Sequence, residues 1–388
     1  MDIKELDREY IANTYGRADV VFVRGEGANV YDDRGHRYID LGAGIAVNSF
    51  GLADPVWREA VVGQLSKLQH MSNLYYTEPC VKLAQALCQR TGMKRVFFGN
   101  SGAEANECAI KAARKWAFDR VGDYSRSGII TLKNSFHGRT VTTLSATGQD
   151  AFHTKFGPFT PGFYHASAQD AREVRALADR GDCCAVMLEL VQGEGGVVPL
   201  TREYVDEVVE IARERDMLVI VDEVQTGNGR TGTLYAFEQF GFLPDIVSTA
   251  KGLGGGLPLG ACLLGERVKD TLGRGDHGST FGGNPIACAG ALSILQRLDQ
   301  ELLADVRRKG EMIREALTGA AGVKSVTGMG LLVGILTEKP ASQVAREALE
   351  RGVVVLTAHE KVRLAPPLNI RDEELCEAVK ILKEVIGE

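Results

Sequence analysis

The chain has 388 residues, more than one hydrophobic core usually serves, so we expect two domains. Hydrophobic residues make up 44% and charged residues 25%, which is the composition of an ordinary globular protein. The formal net charge of −6 argues against nucleic-acid binding, and no apolar run is long enough to predict a membrane span.

The N-terminal segment predicts a short β-meander, with strands at residues 20–23, 28–32 and 38–40. We expect this segment, residues 1–48, to contribute to the smaller of the two domains.

The central part alternates buried-looking strands with helices. Strands are predicted at residues 95–98, 128–132, 185–190, 218–221 and 246–249, and helices between them at residues 104–118 and 203–215. Strands separated by helix-length segments indicate crossover connections and a mainly parallel sheet. We assign residues 49–285 to this large domain.

The last hundred residues have a different pattern. Helices are predicted at residues 286–296, 341–351 and 373–386, and they flank strands at residues 331–335 and 353–356. Residues 286–388 are therefore expected to form a smaller α+β domain, and the whole chain is expected to have an α/β fold.

Two further features of the sequence bear on the cellular compartment of the protein. The first eight residues are charged and contain no apolar signal core. The eight cysteines are scattered, with no CxxC pair or zinc-type ligand spacing. We expect buried, reduced thiols in a cytoplasmic protein that has no metal site.

The first chemical signal follows the strand at residues 95–98. Ser101 with Glu104 three residues later forms a capping-box pattern, so a helix is expected to begin there. The first N–H groups of that helix, next to Gly102, could bind an anion. A well-capped helix without a ligand is an equally good interpretation of this stretch alone, whereas a nucleophile elbow is disfavoured because Ala103 breaks the GxSxG pattern.

A carboxylate follows the strand at residues 218–221. Asp222 could bind a metal, pair with a cation or serve only the fold. A nucleotide hydrolase would need a GxxxxGK[ST] loop, which the chain lacks. Residues 227–232 match GxGxxG, but they begin several residues past the strand, so they are weak evidence for a dinucleotide-binding dehydrogenase.

A lysine follows the strand at residues 246–249. Burying an ammonium group is costly, and a lysine in such a place readily shifts its pKa and forms imines. Lys251 could instead extend to the surface, but the small residues around it, at 252 and 254–256, leave room beside its amine for a flat ligand.

Three strand ends thus offer an anion site, a carboxylate and a lysine. Pyridoxal 5′-phosphate needs an anchor for its phosphate, an acid partner for its pyridine nitrogen and an amine for its aldehyde. No other common cofactor explains this set as well.

The sequence also resembles the class III, fold type I aminotransferases over essentially its whole length. Five motifs carry the resemblance in order: residues 100–107 (NSGAEANE), 135–140 (SFHGRT), 222–227 (DEVQTG), 250–252 (AKG) and 279–285 (STFGGNP). Residues 44–48 and 72–76 are most similar to family members that act on acetylornithine. The resemblance implies transfer of the distal amino group of N2-acetyl-L-ornithine to 2-oxoglutarate, in arginine biosynthesis.

The resemblance also implies roles for individual residues. Lys251 would bind the cofactor covalently and move a proton between the substrate and the cofactor. Asp222 would keep the pyridine nitrogen protonated, and Gln225 would donate to the phenolic oxygen. The remaining contacts implied for the cofactor involve Gly102, Ala103, Phe136, Glu223, Val224 and, from the neighbouring subunit of a homodimer, Thr280.

Four residues are implied for substrate binding. Arg139 would bind the α-carboxylate of acetylornithine, and Arg363 that of glutamate or 2-oxoglutarate. Glu194 would mask Arg363, and Ser279 would lie beside the substrate. An isolated arginine is more often a solvated surface residue, and Glu194 could simply end a strand in a glycine turn.

Two stretches depart from the family pattern. Residues 51–55 (GLADP) stand where Gly-His-x-His-Pro is frequent, and Asn228 replaces a residue that is usually apolar. Neither is expected to touch a catalytic role. Other ω-aminotransferases, acting on ornithine, 4-aminobutyrate or succinyl-diaminopimelate, are the nearest alternatives. An aminomutase and a binding protein without catalysis are weaker alternatives.

Overall fold

The computed structural model describes residues 2–388. Its strands in chain order are β1 (Phe22–Glu26), β2 (Asn29–Asp32), β3 (Arg37–Asp40), β4 (Arg95–Gly99), β5 (Gly128–Leu132), β6 (Phe163–Ala166), β7 (Cys183–Leu188), β8 (Val191–Gln192), β9 (Val198–Pro199), β10 (Leu218–Asp222), β11 (Ile246–Thr249), β12 (Gly260–Leu264), β13 (Val323–Met329), β14 (Leu332–Thr337), β15 (Val353–Val354), β16 (Leu356–Ala358) and β17 (Lys361–Leu364). Its helices are α1 (Ile3–Tyr10), α2 (Ala43–Ala46), α3 (Pro55–Leu65), α4 (Glu78–Thr91), α5 (Gly102–Val121), α6 (Val141–Ala146), α7 (Ala171–Ala178), α8 (Arg202–Glu214), α9 (Phe237–Phe240), α10 (Pro285–Leu295), α11 (Gln300–Leu317), α12 (Ala341–Glu350) and α13 (Asp372–Gly387).

Within residues 2–388, seven strands form one large sheet, in the order β4-β12-β11-β10-β7-β5-β6. Pairing is parallel through β11, β10, β7, β5 and β6, and β12 alone runs against its neighbours. Every residue of β5, β7, β10, β11 and β12 is buried, as expected for strands covered on both faces. The predicted α/β fold with a mainly parallel sheet is confirmed.

Most predicted strands of this sheet agree with the structure to within a residue. The exception is β7, which begins and ends two residues earlier than predicted because the chain leaves the sheet before Glu189. The short strands β6 and β12 were not predicted. β12 has the sequence GACLL, in which small residues weaken the strand pattern.

Two smaller four-stranded sheets lie within residues 2–388, and the first of them joins the two ends of the chain. One has the order β1-β2-β3-β15, and β15 pairs in parallel with β3. The other is antiparallel, in the order β13-β14-β17-β16. The single strand predicted at residues 353–356 is wrong, because the chain changes sheets at Val355. The domain limits after residues 48 and 285 stay predictions.

The topology brings several strand ends together. Because β4, β5, β7, β10 and β11 run in the same direction, their carboxyl ends meet at one edge of the sheet. Asp222 pairs with Ser248, so Lys251 follows only three residues past the position opposite that carboxylate. Across the part of the chain that the structure describes, no helix is both long and apolar enough to span a membrane.

Candidate active site

A cavity of about 450 Å³ opens at this edge of the sheet. Loops after β4, β5, β7, β10 and β11 form its walls, together with the segment that leads into β12. Eight predicted site residues line it: Gly102, Ala103, Phe136, Arg139, Asp222, Val224, Gln225 and Lys251. The fold therefore gathers residues from three separate motifs and the lysine into one space.

The anion site is the start of α5, a helix of 20 residues. The Ser101 hydroxyl caps it by accepting a hydrogen bond from Glu104 N at 3.2 Å. The predicted capping box forms only in part, because the Glu104 carboxylate accepts from Asn100 N, at 2.6 Å, and not from Ser101 N. A Cβ on Gly102 would lie 2.7 Å from Val224, so only glycine lets the loop after β10 approach the helix so closely.

The Asp222 carboxylate is 3% exposed and is held on three sides. Its Oδ2 accepts from Asn106 Nδ2 and from His137 Nδ1, each at 2.8 Å, and its Oδ1 accepts from Val224 N at 3.0 Å. A carboxylate offers about four lone-pair positions, so Oδ1 can accept one more donor. Asn106 and His137 were not predicted as site residues, although both lie inside the motifs that carried the resemblance.

Lys251 begins a short 3-10 turn, Lys251–Leu253, and adopts a left-handed backbone with φ of +46°. Such a conformation is uncommon for a residue with a side chain, and it persists only where the surroundings impose it. Burial lowers the pKa of the Lys251 amine, with Arg363 acting in the same direction against the opposing pull of Glu194 and Asp222. The shift makes the neutral, nucleophilic amine easier to form than in an exposed lysine.

Phe136 forms an aromatic wall, and its backbone N–H donates to Glu189 Oε2 at 2.9 Å. Arg139 extends nearby, with its guanidinium carbon 4.2 Å from the ring centroid of Phe152. Within residues 2–388 its guanidinium makes no hydrogen bond or ion pair, so its donors are available to a ligand. Gly138 lets this loop pack on α5, because a Cβ there would lie 2.9 Å from Ala103 Cβ.

Glu189 is a cavity carboxylate that the sequence did not single out. It is 4% exposed, and burial, reinforced by Asp222, raises its pKa to about 7 although His137 opposes this. Its two oxygens accept from Phe136 N and, at 3.3 Å, from Gly193 N. Glu189 directly follows a buried strand, the same pattern that identified Asp222. It was missed because the strand predicted through residue 190 placed it inside the sheet.

Glu194 lies in the turn between β8 and β9, and Arg363 lies on β17. Neither lines the main cavity, but they pair beside it, with 2.5 Å between Glu194 Oε1 and Arg363 Nη1. Gln225 joins them, since its Oε1 accepts from Arg363 Nη1 at 3.0 Å and its Nε2 donates to Glu194 Oε1 at 3.4 Å. Burial raises the pKa of Glu194, but attraction to Arg363 and Lys251 outweighs this and leaves the pKa below its usual value.

Three further predicted residues, besides Glu194 and Arg363, do not line the cavity. The Glu223 carboxylate accepts from Phe237 N at 2.9 Å and from the Thr226 hydroxyl, so its side chain fixes the loop after β10. Ser279 Oγ accepts from Asn100 Nδ2 at 3.2 Å, behind the anion site. Thr280 is exposed and lies away from the cavity of its own chain.

The GxGxxG stretch at residues 227–232 does not open a helix, since the next one, α9, begins at Phe237. Its Arg230 is buried, and Nη1 donates to Leu331 O at 3.1 Å and to Pro366 O at 2.5 Å. The loop therefore ties the large sheet to the segments beside β14 and β17. It lacks the strand–turn–helix arrangement that would hold a dinucleotide.

The first departure from the family pattern serves packing. Asp54 accepts from Trp57 N at the start of α3 and forms a two-point ion pair with Arg297, at 3.0 and 2.8 Å. Leu52 packs against Gly25, and residues 51–55 do not line the main cavity. The second departure, Asn228, is closer to the chemistry than predicted, since its amide donates to the carbonyl that precedes Lys251.

The arrangement fits pyridoxal phosphate. The start of α5 offers N–H groups for a phosphate, Asp222 retains a free lone pair for a protonated ring nitrogen, and Lys251 supplies an amine for the aldehyde. Phe136 provides a flat wall for an aromatic ring. Each of these groups is already positioned by neighbouring residues, so the site is largely preformed.

Comparison with known proteins gives a consistent result. Residues 10–386 match the model of the family described as aminotransferase class-III. The chain is 51% identical to the acetylornithine aminotransferase of Haemophilus ducreyi, over 100% of this chain and 98% of that protein. It is 44% identical to the succinylornithine transaminase of Salmonella typhimurium, over 95% and 92% of the two chains.

Solved structures of aminotransferases are also similar to this chain. The ornithine aminotransferase of Toxoplasma gondii, in a structure with partial occupancy of PLP at its active site, superposes with a TM-score of 0.94 at 33% identity, covering 99% of this chain and 93% of that one. The N-acetylornithine aminotransferase of Stenotrophomonas maltophilia superposes with a TM-score of 0.86 at 37% identity, covering 99% and 98%.

Proposed function

The chain belongs to the class III aminotransferases, which depend on pyridoxal phosphate, and from this membership we propose its substrates and the roles of its residues. The proposed reaction converts N2-acetyl-L-ornithine and 2-oxoglutarate to N-acetyl-L-glutamate 5-semialdehyde and L-glutamate, a step of arginine biosynthesis. One observation carries the proposal: Arg139 lines the cavity and makes no ion pair among the described residues, whereas Arg363 lies beside the cavity and is paired with Glu194. The names of the most similar relatives support the same substrate.

The free arginine suits the first substrate. Acetylornithine reacts through its distal amine, and its α-carboxylate then lies at the far end of the molecule. The Arg139 guanidinium, in the cavity wall, offers a planar fork for that carboxylate. The acetyl group removes the charge of the α-amine, so no further anion is needed to accept it.

The masked arginine suits the second substrate. Glutamate reacts through its α-amine, so its α-carboxylate must bind close to the reacting carbon. Arg363 is 3% exposed, and its Nε has no partner among the described residues, so its guanidinium retains donors for a carboxylate. In our proposal the glutamate carboxylate replaces that of Glu194, and the arginine is hidden from other α-amino acids until then.

Two residues, Lys251 and Asp222, carry the chemistry in this proposal. Pyridoxal phosphate, when bound, accepts the electron pair that the substrate carbon releases. The Lys251 amine takes the proton from the amine-bearing carbon of the substrate and later returns a proton to the keto acid's former carbonyl carbon. Asp222 holds a proton at the ring nitrogen, and the hydrogen bonds from Asn106 and His137 keep the carboxylate oriented for this task.

We propose that the active form is a homodimer with shared sites. An exposed apolar group, Met71, Leu74, Tyr75 and Tyr76, lies in the loop before α4, and Tyr76 is 99% exposed. The Asn73 amide ties this loop to the Ser279 and Gly282 carbonyls, and the neighbouring Phe281 is also exposed. A second copy of the chain covering this surface would bring Thr280 to the partner's anion site.

A cytoplasmic location is also proposed. All eight cysteines are free thiols, and Cys108, Cys184 and Cys262 are fully buried. The prediction of buried thiols holds for five cysteines and is wrong for Cys80 and Cys88, which are half-buried, and for Cys376, which is exposed. Free thiols in such number are typical of a reducing compartment.

Purified enzyme, supplied with 2-oxoglutarate and one amine donor at a time, would test the function. We expect the largest kcat/KM with acetylornithine, among donors that include succinylornithine, ornithine, 4-aminobutyrate and succinyl-diaminopimelate. Lys251→Ala should abolish turnover with every donor, and borohydride should fix the cofactor's mass on Lys251 in the unmodified enzyme. A clear preference for another donor would replace the proposed substrate, and an active Lys251→Ala enzyme would contradict the proposed chemistry.

A further inference from the structure

We infer that Asn228 is a positioning residue for Lys251, because its side-chain amide holds the peptide that precedes the lysine. The inference rests on the proposed role of Lys251 in transamination. It concerns a residue at which this chain departs from its family, and which nothing in the sequence connects with the lysine, 23 positions away.

The Asn228 amide is fully engaged with the strand that ends at the lysine. Asn228 is 3% exposed, and its Nδ2 donates to Thr249 Oγ1 at 2.9 Å and to Ala250 O at 3.1 Å. An amide nitrogen carries two protons, so one group serves both acceptors. The last residue of β11 and the peptide entering Lys251 are therefore fixed by the same side chain.

The turn at Lys251 is held from several sides. Ala250 O also accepts from Leu253 N at 2.9 Å, and the Ser49 hydroxyl donates to Gly252 O at 3.1 Å. A Cβ on Gly252 would lie 2.6 Å from Ser49 Oγ and 3.3 Å from Asn228 Cβ. The backbone on both sides of Lys251 thus fits between two polar side chains and has little room to relax.

The contacts of Asn228 and Ser49 with this turn explain how Lys251 keeps an unfavourable backbone conformation. A lysine with φ of +46° is strained, and the strain persists only if neighbours oppose its release. Rotating the Ala250 peptide would break the hydrogen bonds that Ala250 O accepts from Asn228 Nδ2 and from Leu253 N, and one buried N–H of the Asn228 amide would lose its acceptor, which is costly. The amide therefore helps to keep the Lys251 side chain directed into the cavity.

Asparagine suits position 228 for a second reason. Residue 228 itself has φ of +57°, a left-handed conformation that asparagine tolerates better than most residues. An apolar side chain would fill the same space without offering a donor to Ala250 O. The departure from the family pattern therefore supplies a bond that an apolar residue cannot make.

Two variants separate the hydrogen bonds from the backbone conformation. Asn228→Leu removes both donors and strains the left-handed backbone, whereas Asn228→Gly removes both donors and relieves it. If the bonds position Lys251, both variants should lower kcat for acetylornithine about tenfold, with KM changed by less than about twofold. If backbone strain at residue 228 caused the loss of kcat in Asn228→Leu, Asn228→Gly would instead keep the kcat of the unmodified enzyme.

A second readout does not depend on turnover. Competitive acetylation with acetic anhydride across pH, in the cofactor-free protein, gives the pKa of the Lys251 amine from its labelled peptide. Burial now lowers that pKa. In both variants the freed turn should let the amine reach solvent, and its pKa should rise toward the value of an exposed lysine.

Gln169→Gly is the matched control. Gln169 is also left-handed, with φ of +65°, and its amide donates to Pro199 O at 3.0 Å, outside the cavity. This variant should keep the kcat and the Lys251 pKa of the unmodified enzyme. Unchanged kcat and pKa in both Asn228 variants, or a loss equalled by the control, would overturn the inference. An active Lys251→Ala enzyme would instead overturn the proposed function.

Discussion

The Glu194 carboxylate covers Arg363, with 2.5 Å between Oε1 and Nη1. Arg363 is buried on β17, whereas the Glu194 side chain is 29% exposed in a two-strand turn. A buried guanidinium needs a counter-charge, and the more exposed partner is the one that a substrate carboxylate can replace. Gly193 lets this turn pass close to Gln225, because a Cβ at residue 193 would lie 2.6 Å from the side-chain amide carbon of Gln225.

We predict that Glu194→Ala exposes Arg363 to every α-carboxylate. The half-reaction with glutamate should become faster at low glutamate concentration, and α-amino transfer from ornithine should rise by roughly tenfold relative to acetylornithine. Single-turnover absorbance changes with the three donors measure the ratios. Glu360→Ala, which removes an exposed carboxylate from the neighbouring hairpin, is the control. Unchanged donor ratios in Glu194→Ala would reject the gate and leave the aminotransferase function intact.

Arg139 is predicted to bind the carboxylate of acetylornithine. Arg139→Ala should lower kcat/KM for acetylornithine by about 10- to 100-fold, the usual cost of losing a charge-assisted hydrogen bond, and should barely change it for pentylamine, which has no carboxylate. Arg139→Lys should recover only part of the loss, because an ammonium group lacks the planar fork. Steady-state kinetics with both donors measure this. Equal losses for the two amines would show that Arg139 supports the fold and does not recognise substrate.

The sequence predicted the parts of the site that depend on local pattern. Asp222 ends one fully buried strand and Lys251 follows another, and their place at one sheet edge follows from the parallel topology. The start of α5 was predicted from its cap. These features could be found because strand ends and helix caps are decided by a few neighbouring residues.

Side-chain direction could not be predicted in the same way. Asp222 and Glu223 are adjacent, but one faces the cavity and the other the loop behind it. Glu189 was missed because an error of two residues in the end of β7 hid it. The contact of Asn228 with Ala250 depends on how a loop packs across β11, which no local pattern encodes.

Glu223 should make stability depend on pH. Burial raises its pKa to about 7 from an unfolded value of 4.5, so between these values the folded chain holds a proton that the unfolded chain releases. The free energy of unfolding should therefore fall as pH rises through this window, by up to about 3 kcal/mol from this group. The side chain in Glu223→Gln cannot titrate, so its free energy of unfolding should lack this fall. Urea unfolding at several pH values should show the variant gaining stability relative to the unmodified protein as pH rises. A difference that stays constant between pH 4.5 and 7.5 would contradict this account.

The last prediction concerns Thr280, which is exposed in its own chain and proposed to complete the partner's anion site. Thr280→Ala should weaken cofactor binding by about tenfold through the lost hydrogen bond. Lys251→Ala should be inactive.

A hybrid dimer of one chain of each variant, isolated with two different affinity tags, contains one site that combines an unmodified Lys251 with an unmodified Thr280 from the other chain. At a cofactor concentration that leaves the Thr280→Ala dimer largely unsaturated, this hybrid should therefore show about half the activity of the unmodified dimer, since one of its two equivalent sites is intact. A hybrid of Lys251→Ala with the unmodified chain provides the reference. If Thr280 acted within its own chain, the only site with a lysine would lack its hydroxyl, and the hybrid would need as much cofactor as the Thr280→Ala dimer.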